Sequence, residues 1–471
     1  MTRRLALLFL VVCFGLALSL EAQSAPAAPA DNLQLEQVVL VSRHGVRSPT
    51  NTRPPLAQVA AEPWPTWPVG PGELTPHGQH AATLMGAYYR SAFAQAGLLA
   101  PAGCPRANDL YVWSDVEQRT RLTAQALMDG MYPGCGLKPN TKPDLEKDDP
   151  LFHPTTTGVC KVDGQTARAA ILGRIGGGNS GGDFTALLRA YAEQFARMQS
   201  VLKCCAPTLC APGSASCTLA QVPASISAEG RLQGPIPIAS TATEIFLLEY
   251  AQGLPADQVG WGRVDESTLR YLMQLHQLQF ELAERTMYPA QRAGSNLLDQ
   301  VLSTLRAKVS GPKFSQTTAP RAQAPAASKT VLYVGHDTNI ANLGGMLNVD
   351  WLLEGYQANE TPPDGAIAFE LFRGKPAPQM KTPQYFVRLF YYAQSPAQLR
   401  EATKLDATHP PSRAEITIPG CAAAAAKAGA GMACPWPVFE RIAAAAIDRE
   451  CVGGGSATAQ KRIVPTGGAS K

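Results

Sequence analysis

The chain has 471 residues, a formal net charge of +4 and 17% charged residues. That balance is too weakly basic for a nucleic-acid binder, and no Lys/Arg run supports one. The length exceeds what one core usually holds, so two domains are expected.

Residues 1–24 read as an export leader. Thr2-Arg3-Arg4 is a basic start, Leu5 to Leu20 an apolar stretch, and Ala22-Gln23-Ser24 a small-residue cleavage site. The apolar stretch is short for a membrane span, and no later segment is long and apolar enough. A periplasmic or secreted protein, free of the membrane after cleavage, is expected. Residues 25–33 look like a loose mature N-terminus. Cys13 lies in the leader, and the other ten cysteines follow it. An even number in an exported chain predicts a disulfide framework, with a zinc site the weaker alternative because no Cys-x-x-Cys pair recurs. Adjacent Cys204 and Cys205 are poor partners for each other in ordinary disulfide geometry.

The apolar run Val38 to Val41 reads as a buried parallel strand. It opens onto Arg43-His44-Gly45-Val46-Arg47-Ser48-Pro49-Thr50. Pro76 to Gly97 predicts a helix, Leu110 to Trp113 a short strand and Gln118 to Met131 a second helix, an alternation that argues an α/β layer. From about 151 the pattern turns helical, over Ala167–Leu172, Phe184–Leu202, Thr241–Gln252 and Glu266–Arg285. Gly176 to Gly182 is glycine-rich but lacks the Lys-Ser/Thr of a phosphate loop and follows no strand, so it reads as a plain loop. Gln316 to Ser328 reads as a flexible connection. Thr330 to Val334 is again a buried strand. Ala366–Phe372 and Tyr385–Tyr392 alternate like antiparallel strands. Residues 452–471 read as a disordered tail. The expected architecture is a mixed-sheet α/β domain with helices on both faces (31–150 with 325–451) and an inserted, mostly helical domain (151–324).

Three of these segments carry chemistry. His44 lies between Arg43 and Arg47, and nearby positive charge favours its neutral form. A neutral imidazole is a nucleophile toward a phosphoryl group, whose oxygens guanidiniums clamp with paired hydrogen bonds. The strand Thr330–Val334 ends in Gly335-His336-Asp337-Thr338. His336 can donate to a phosphate oxygen, and Asp337 can protonate a leaving alkoxide if it holds a proton. The strand Leu110–Trp113 leads to Asp115 and Arg119 at a helix start, a place that favours anions. In an open parallel sheet such strand ends face one crevice. His77 and His80, about one turn apart on a helix, are the weak zinc alternative, with no third ligand nearby.

These motifs resemble the histidine acid phosphatases, most closely the bacterial periplasmic phytase branch. The resemblance rests on Arg43 to Thr50 and Gly335-His-Asp-Thr-Asn339. It is supported by Trp64-Pro-Thr-Trp-Pro68, Asp115 to Arg119, Asp149-Pro-Leu-Phe152, Thr243 to Leu248, Gly260-Trp-Gly-Arg263 and Asn342-Leu-Gly-Gly345, and runs from about 35 to 451. It implies that His44 is the nucleophile and Asp337 the proton donor. Arg43, Arg47, Arg119 and His336 would cradle the phosphate, and Thr50, Asp115, Glu244 and Thr338 would line the pocket. It also implies no metal or other cofactor, and disulfides Cys104–Cys135, Cys160–Cys451, Cys210–Cys217 and Cys421–Cys434. Where phytases often carry a lysine after the Pro-Thr, this chain has Asn51, so Arg53 and Arg292 are the candidates for distal phosphates.

The expected partner is a small phosphorylated molecule, phytate first, and the expected state is a monomer. The runner-up is a glucose-1-phosphatase or broad acid phosphatase. That branch tends to have Asn after the first His and Ser after His-Asp, whereas this chain has Gly45 and Thr338. An exported phosphate-binding protein without turnover is the alternative from another class. It has no use for a nucleophilic histidine beside a separate His-Asp pair.

Overall fold

The structure is a computed structural model, and it describes residues 33–50, 58–176, 184–210, 212–213, 216–311, 324–374 and 384–453. The predicted leader, the 454–471 tail, Arg53, most of the 176–182 loop and much of the 316–328 connection lie outside the described residues.

Among the described residues the main sheet has eight strands: β1 (Leu33–Arg43), β2 (Leu110–Ser114), β3 (Asn140–Thr141), β4 (Thr330–Gly335), β5 (Ala366–Gly374), β6 (Tyr385–Ala393), β7 (Ser412–Ile416) and β8 (Cys434–Pro435). Their order is β8-β6-β5-β1-β4-β2-β3, with β7 also pairing with β6. The half β1-β4-β2-β3 is parallel, and β5 to β8 join antiparallel. This is the mixed α/β sheet expected from the sequence.

The centre of the sheet is buried on both faces, which is why its strands read as unbroken apolar runs rather than alternating ones. Val39 and Val41 of β1, with Val331 and Tyr333 of β4, face one core. Val38 and Leu40, with Leu332 and Val334, face the other. The second core is closed by helices α1 (Pro76–Gln95) and α2 (Gln118–Met131), through Met85, Tyr89, Phe93 and Leu127. Helix α1 starts cleanly, because Thr75 caps Gly78 N and Pro76 takes a first-turn position. Gly78 has no room for a side chain, since a Cβ there would lie 2.1 Å from Val46 O. The start of α1 therefore packs directly on the backbone beside Arg47.

The helical stretch comprises α3 (Gly164–Arg174), α4 (Thr185–Ala190), α5 (Ala192–Leu202), α6 (Pro235–Ala251), α7 (Glu266–Ala283) and α8 (Met287–Ser310). The segment expected as one helix over 184–202 is divided at Tyr191. Phe195, Met198, Phe246, Leu272 and Leu275 form a core of their own. Helix α8 behaves differently. Its Leu297, Leu298, Val301 and Leu305 pack in the sheet-face core with Val39 and Val331. That core also receives α9 (Asp337–Leu347) and, through Phe439 and Ala443, the helix Trp436–Ala446.

The structure pairs Cys104–Cys135, Cys160–Cys451, Cys210–Cys217 and Cys421–Cys434, as the resemblance implied. Cys204 and Cys205 lie side by side across a cis peptide bond. Among the described residues no helix is long and apolar enough to cross a membrane.

Candidate active site

Three parallel neighbours bring their C-terminal ends into one row. Arg43 of β1 is in register with Gly335 of β4, and Val334 of β4 with Ser114 of β2. The chain past each end stays tied to the next strand. His44 N donates to Gly335 O at 2.9 Å, and Asp115 N donates to Val334 O at 3.0 Å. His44, His336 and Asp115 are thereby set side by side by backbone geometry alone. The His44 and His336 ring centroids are 5.5 Å apart, edge to face. Helix α9 begins immediately after His336, whose backbone N donates to Asn339 Oδ1 at 2.9 Å. Asp337 thus sits at a helix start, and Arg119 lies in the first turn of α2.

His44 is buried. Its Nδ1 lies 2.9 Å from Gly45 O. A carbonyl only accepts, so Nδ1 carries the proton and Nε2 keeps its lone pair. Burial pushes this imidazole well below its usual range, reinforced by Arg47, Arg119, Arg43 and His336. Gly45 is tightly enclosed, since a Cβ there would approach Asp364 Oδ1 to 2.8 Å.

The cations around His44 are held by carboxylates. Arg43 is fully buried and donates from Nη1 to Thr361 O at 2.6 Å. Its Nη2 lies 3.0 Å from Asp337 Oδ2 and also contacts Glu244 Oε1. Arg47 Nη2 lies 3.5 Å from the same Glu244 oxygen, and Arg119 Nη2 lies 3.3 Å from Glu117 Oε1. Burial alone would raise the Asp337 carboxyl, but Arg43, Arg47, His276 and His336 together hold it down at about 2. Glu360 and Asp364 sit beneath this cluster and are pushed up to about 8 by burial, although Arg43 opposes the shift. They are neutral in acid and leave the charge of Arg43 to the crevice.

Thr338 is half-buried, and its backbone N donates to Asp337 Oδ1 at 2.7 Å. Thr50 is exposed and, with Trp64, Trp67 and Ile245, lines a cleft of about 250 Å³. Asp115 is fully buried and holds two imidazoles, His336 Nε2 at 2.8 Å and His153 Nε2 at 2.6 Å. Arg292 lies against the Cys160–Cys451 bridge, over the Tyr288 ring, and its Nη2 is 3.3 Å from Asp448 Oδ2. Those contacts tie the C-terminal segment down and spend its charge there, so they give no support to a distal substrate contact. The zinc alternative also changes. His77 Nε2 bonds to Leu399 O at 2.7 Å, while His80 is exposed.

Sequence reasoning missed three neighbours of the site. His276 of α7 hydrogen-bonds Ser240 Oγ through Nδ1 at 3.0 Å and faces Glu244 at 3.9 Å. His153 and Glu117 meet the strand-end row from the side. The available signal was the position of Glu117 between Asp115 and Arg119. His153, in Phe152-His-Pro154, has no such signal.

A neutral histidine with its lone pair on Nε2, ringed by guanidiniums and a carboxyl group, can accept and release a phosphoryl group. The chain belongs to the histidine phosphatase superfamily (branch 2), whose model matches residues 34–392. Among curated relatives, it is 37% identical over 421 residues to phytase AppA of Escherichia coli, covering 88% of this chain and 93% of that protein. It is 28% identical over 450 residues to the glucose-1-phosphatase of Providencia rettgeri, covering 93% and 99%. The structure of Hafnia alvei phytase in complex with myo-inositol hexakis sulphate superposes with a TM-score of 0.78 at 34% identity, covering 91% of this chain and 100% of that one.

Proposed function

We propose that this chain hydrolyses phosphomonoesters through a phosphohistidine on His44, without a metal, and that phytate is its main substrate. The observation that carries the reading is the state of His44. Its Nδ1 proton points at Gly45 O, which leaves the lone pair on Nε2, and Arg43 and Arg47 flank it. In this reading Arg43, Arg47, Arg119 and His336 bind the transferred phosphoryl, and Asp337 protonates the departing alcohol. The helix starts at Gln118 and Asp337 add favourable dipoles. Glu244 balances Arg43 and Arg47 until substrate arrives, and the Thr50–Trp64–Trp67 cleft receives the rest of the substrate.

Phytate is favoured over a sugar phosphate by the closer likeness to phytase AppA and by Gly45, whose enclosure leaves no space for Asn without a shift of Asp364. Export to the periplasm or outside the cell rests on the leader and the disulfide framework. We take the working form to be a monomer. We also divide the chain into an α/β unit and an inserted helical unit, with α8 assigned to the α/β unit by its packing. The test is turnover of phytate, glucose-1-phosphate and p-nitrophenyl phosphate by one purified sample. Phytate should show the highest kcat/KM. A clear preference for glucose-1-phosphate would overturn the substrate assignment, and no turnover of any of them would leave the binding-protein reading.

A further inference from the structure

Four metal-ligating side chains converge beside the strand-end row: Asp115, Glu117, His153 and His336. Each offers one donor atom, and these atoms all lie within 4.8 Å of one another. Both imidazoles turn Nε2 inward. His153 Nε2 is 2.6 Å from Asp115 Oδ2 and 3.6 Å from Glu117 Oε1. His336 Nε2 is 2.8 Å from Asp115 Oδ2 and 3.5 Å from Glu117 Oε2. Tetrahedral zinc with bonds of about 2.0–2.2 Å needs donors roughly 3.3–3.5 Å apart. The Glu117 spacings already fit, and Asp115 has to retreat by less than about 1 Å.

The surroundings are those of a supported site. Asp115 is fully buried and its Oδ1 accepts from Val116 N at 2.8 Å. His336 is anchored by Asn339. Glu117 Oε2 is buried beside His336 and makes no hydrogen bond among the described residues. Two imidazoles with two carboxylates suit zinc and its transition-metal neighbours better than calcium or magnesium.

We propose that Asp115, Glu117, His153 and His336 form an inhibitory site for a Zn²⁺-class divalent ion. Ligation uses the Nε2 lone pair, so the proton on Nε2 leaves to solvent and Nδ1 takes one up, and His336 cannot hold the ion and donate an Nε2–H to a phosphoryl oxygen at the same time. The ion also draws Glu117 from Arg119. The inhibitory half rests on the role given above to His336. The binding half does not.

The experiment uses the mature chain, stripped of metal, in a non-chelating buffer. Zinc uptake is measured by titration calorimetry, and inhibition is measured on p-nitrophenyl phosphate, because phytate itself sequesters zinc. The wild type should bind one zinc per chain, and zinc should slow turnover over the same concentration range. His153→Asn should weaken uptake and inhibition together, by roughly tenfold or more, with inhibition read relative to the variant's own zinc-free rate. Glu117→Gln serves as a second variant should H153N melt early. Absence of stoichiometric uptake by wild type, or equal affinity in both variants, overturns the site. His153-dependent uptake that leaves turnover unchanged overturns the inhibitory role. A chain that binds zinc but hydrolyses no phosphomonoester would instead fail the catalytic reading.

Discussion

The Arg43 guanidinium lies 3.0 Å from the Asp337 carboxylate, so the cation that flanks His44 also keeps the proposed proton donor ionised. With the Asp337 carboxyl held down by Arg43 and Arg47, little of it is protonated in the resting protein. A proton that arrives with the substrate meets that shortage. A phosphate monoester loses its second proton near pH ~6, so its monoanion can bring the proton and pass it to Asp337 as the dianion engages Arg43 and Arg47. The prediction is that kcat/KM falls above about pH 6, following the substrate rather than the resting carboxyl. A profile that already falls between pH 2 and 4 would contradict this. The same shift has a stability sign. A depressed carboxyl contributes stability above its unfolded value near ~3.9, and that stability is lost as pH falls through about 2.

Asp337→Asn should separate leaving groups. An alkoxide needs a proton in the transition state and a nitrophenolate needs it far less. The loss on phytate should be about 10²–10⁴-fold, with a smaller loss on p-nitrophenyl phosphate. Equal losses would assign Asp337 to phosphate positioning and make Glu244 the better acid.

Much of this site was legible because its residues follow buried strands. Arg43, His44, His336 and Asp337 all stand where an apolar run stops, and parallel pairing of β1, β4 and β2 is enough to align them. His153 was not legible, because only the tertiary fold brings its loop to Asp115. The surroundings of Arg292 were not legible for a related reason. Its partners, Asp448 and the Cys160–Cys451 bridge, belong to a distant stretch that no local pattern connects to it. The division at Tyr191 carries no Gly or Pro signal, and the packing of α8 depends on the sheet it meets.

Chelation should leave turnover intact. Arg43, Arg47 and Arg119 supply the positive charge that phosphoryl oxygens need, and removal of an inhibitory ion can only raise the rate. Initial rates before and after EDTA treatment check this. Loss of activity restored by zinc would contradict it.

Glu249 makes an independent test of the helical core. It is fully buried, accepts from Gly260 N at 2.8 Å, and is pushed up to about 8 by burial. A carboxyl raised on folding costs stability as pH climbs from its unfolded value near ~4.3 through the folded one. Glu249→Gln removes that cost. The variant should gain on the order of a few kcal/mol at pH 8 and little at pH 4, read from paired denaturation curves. A gain independent of pH would contradict the buried-acid account.

Phosphorylation of His44 is the claim on which the rest stands. Mixing the protein with labelled substrate and quenching within a turnover should trap one phosphoryl group per chain, stable in alkali, released by acid, and located on the peptide containing His44. His44→Ala should trap none and lose activity by several orders of magnitude, as removal of a nucleophile does, while its melting curve stays near that of wild type. A variant that keeps more than a few per cent of activity, or a label found elsewhere than His44, would contradict the account.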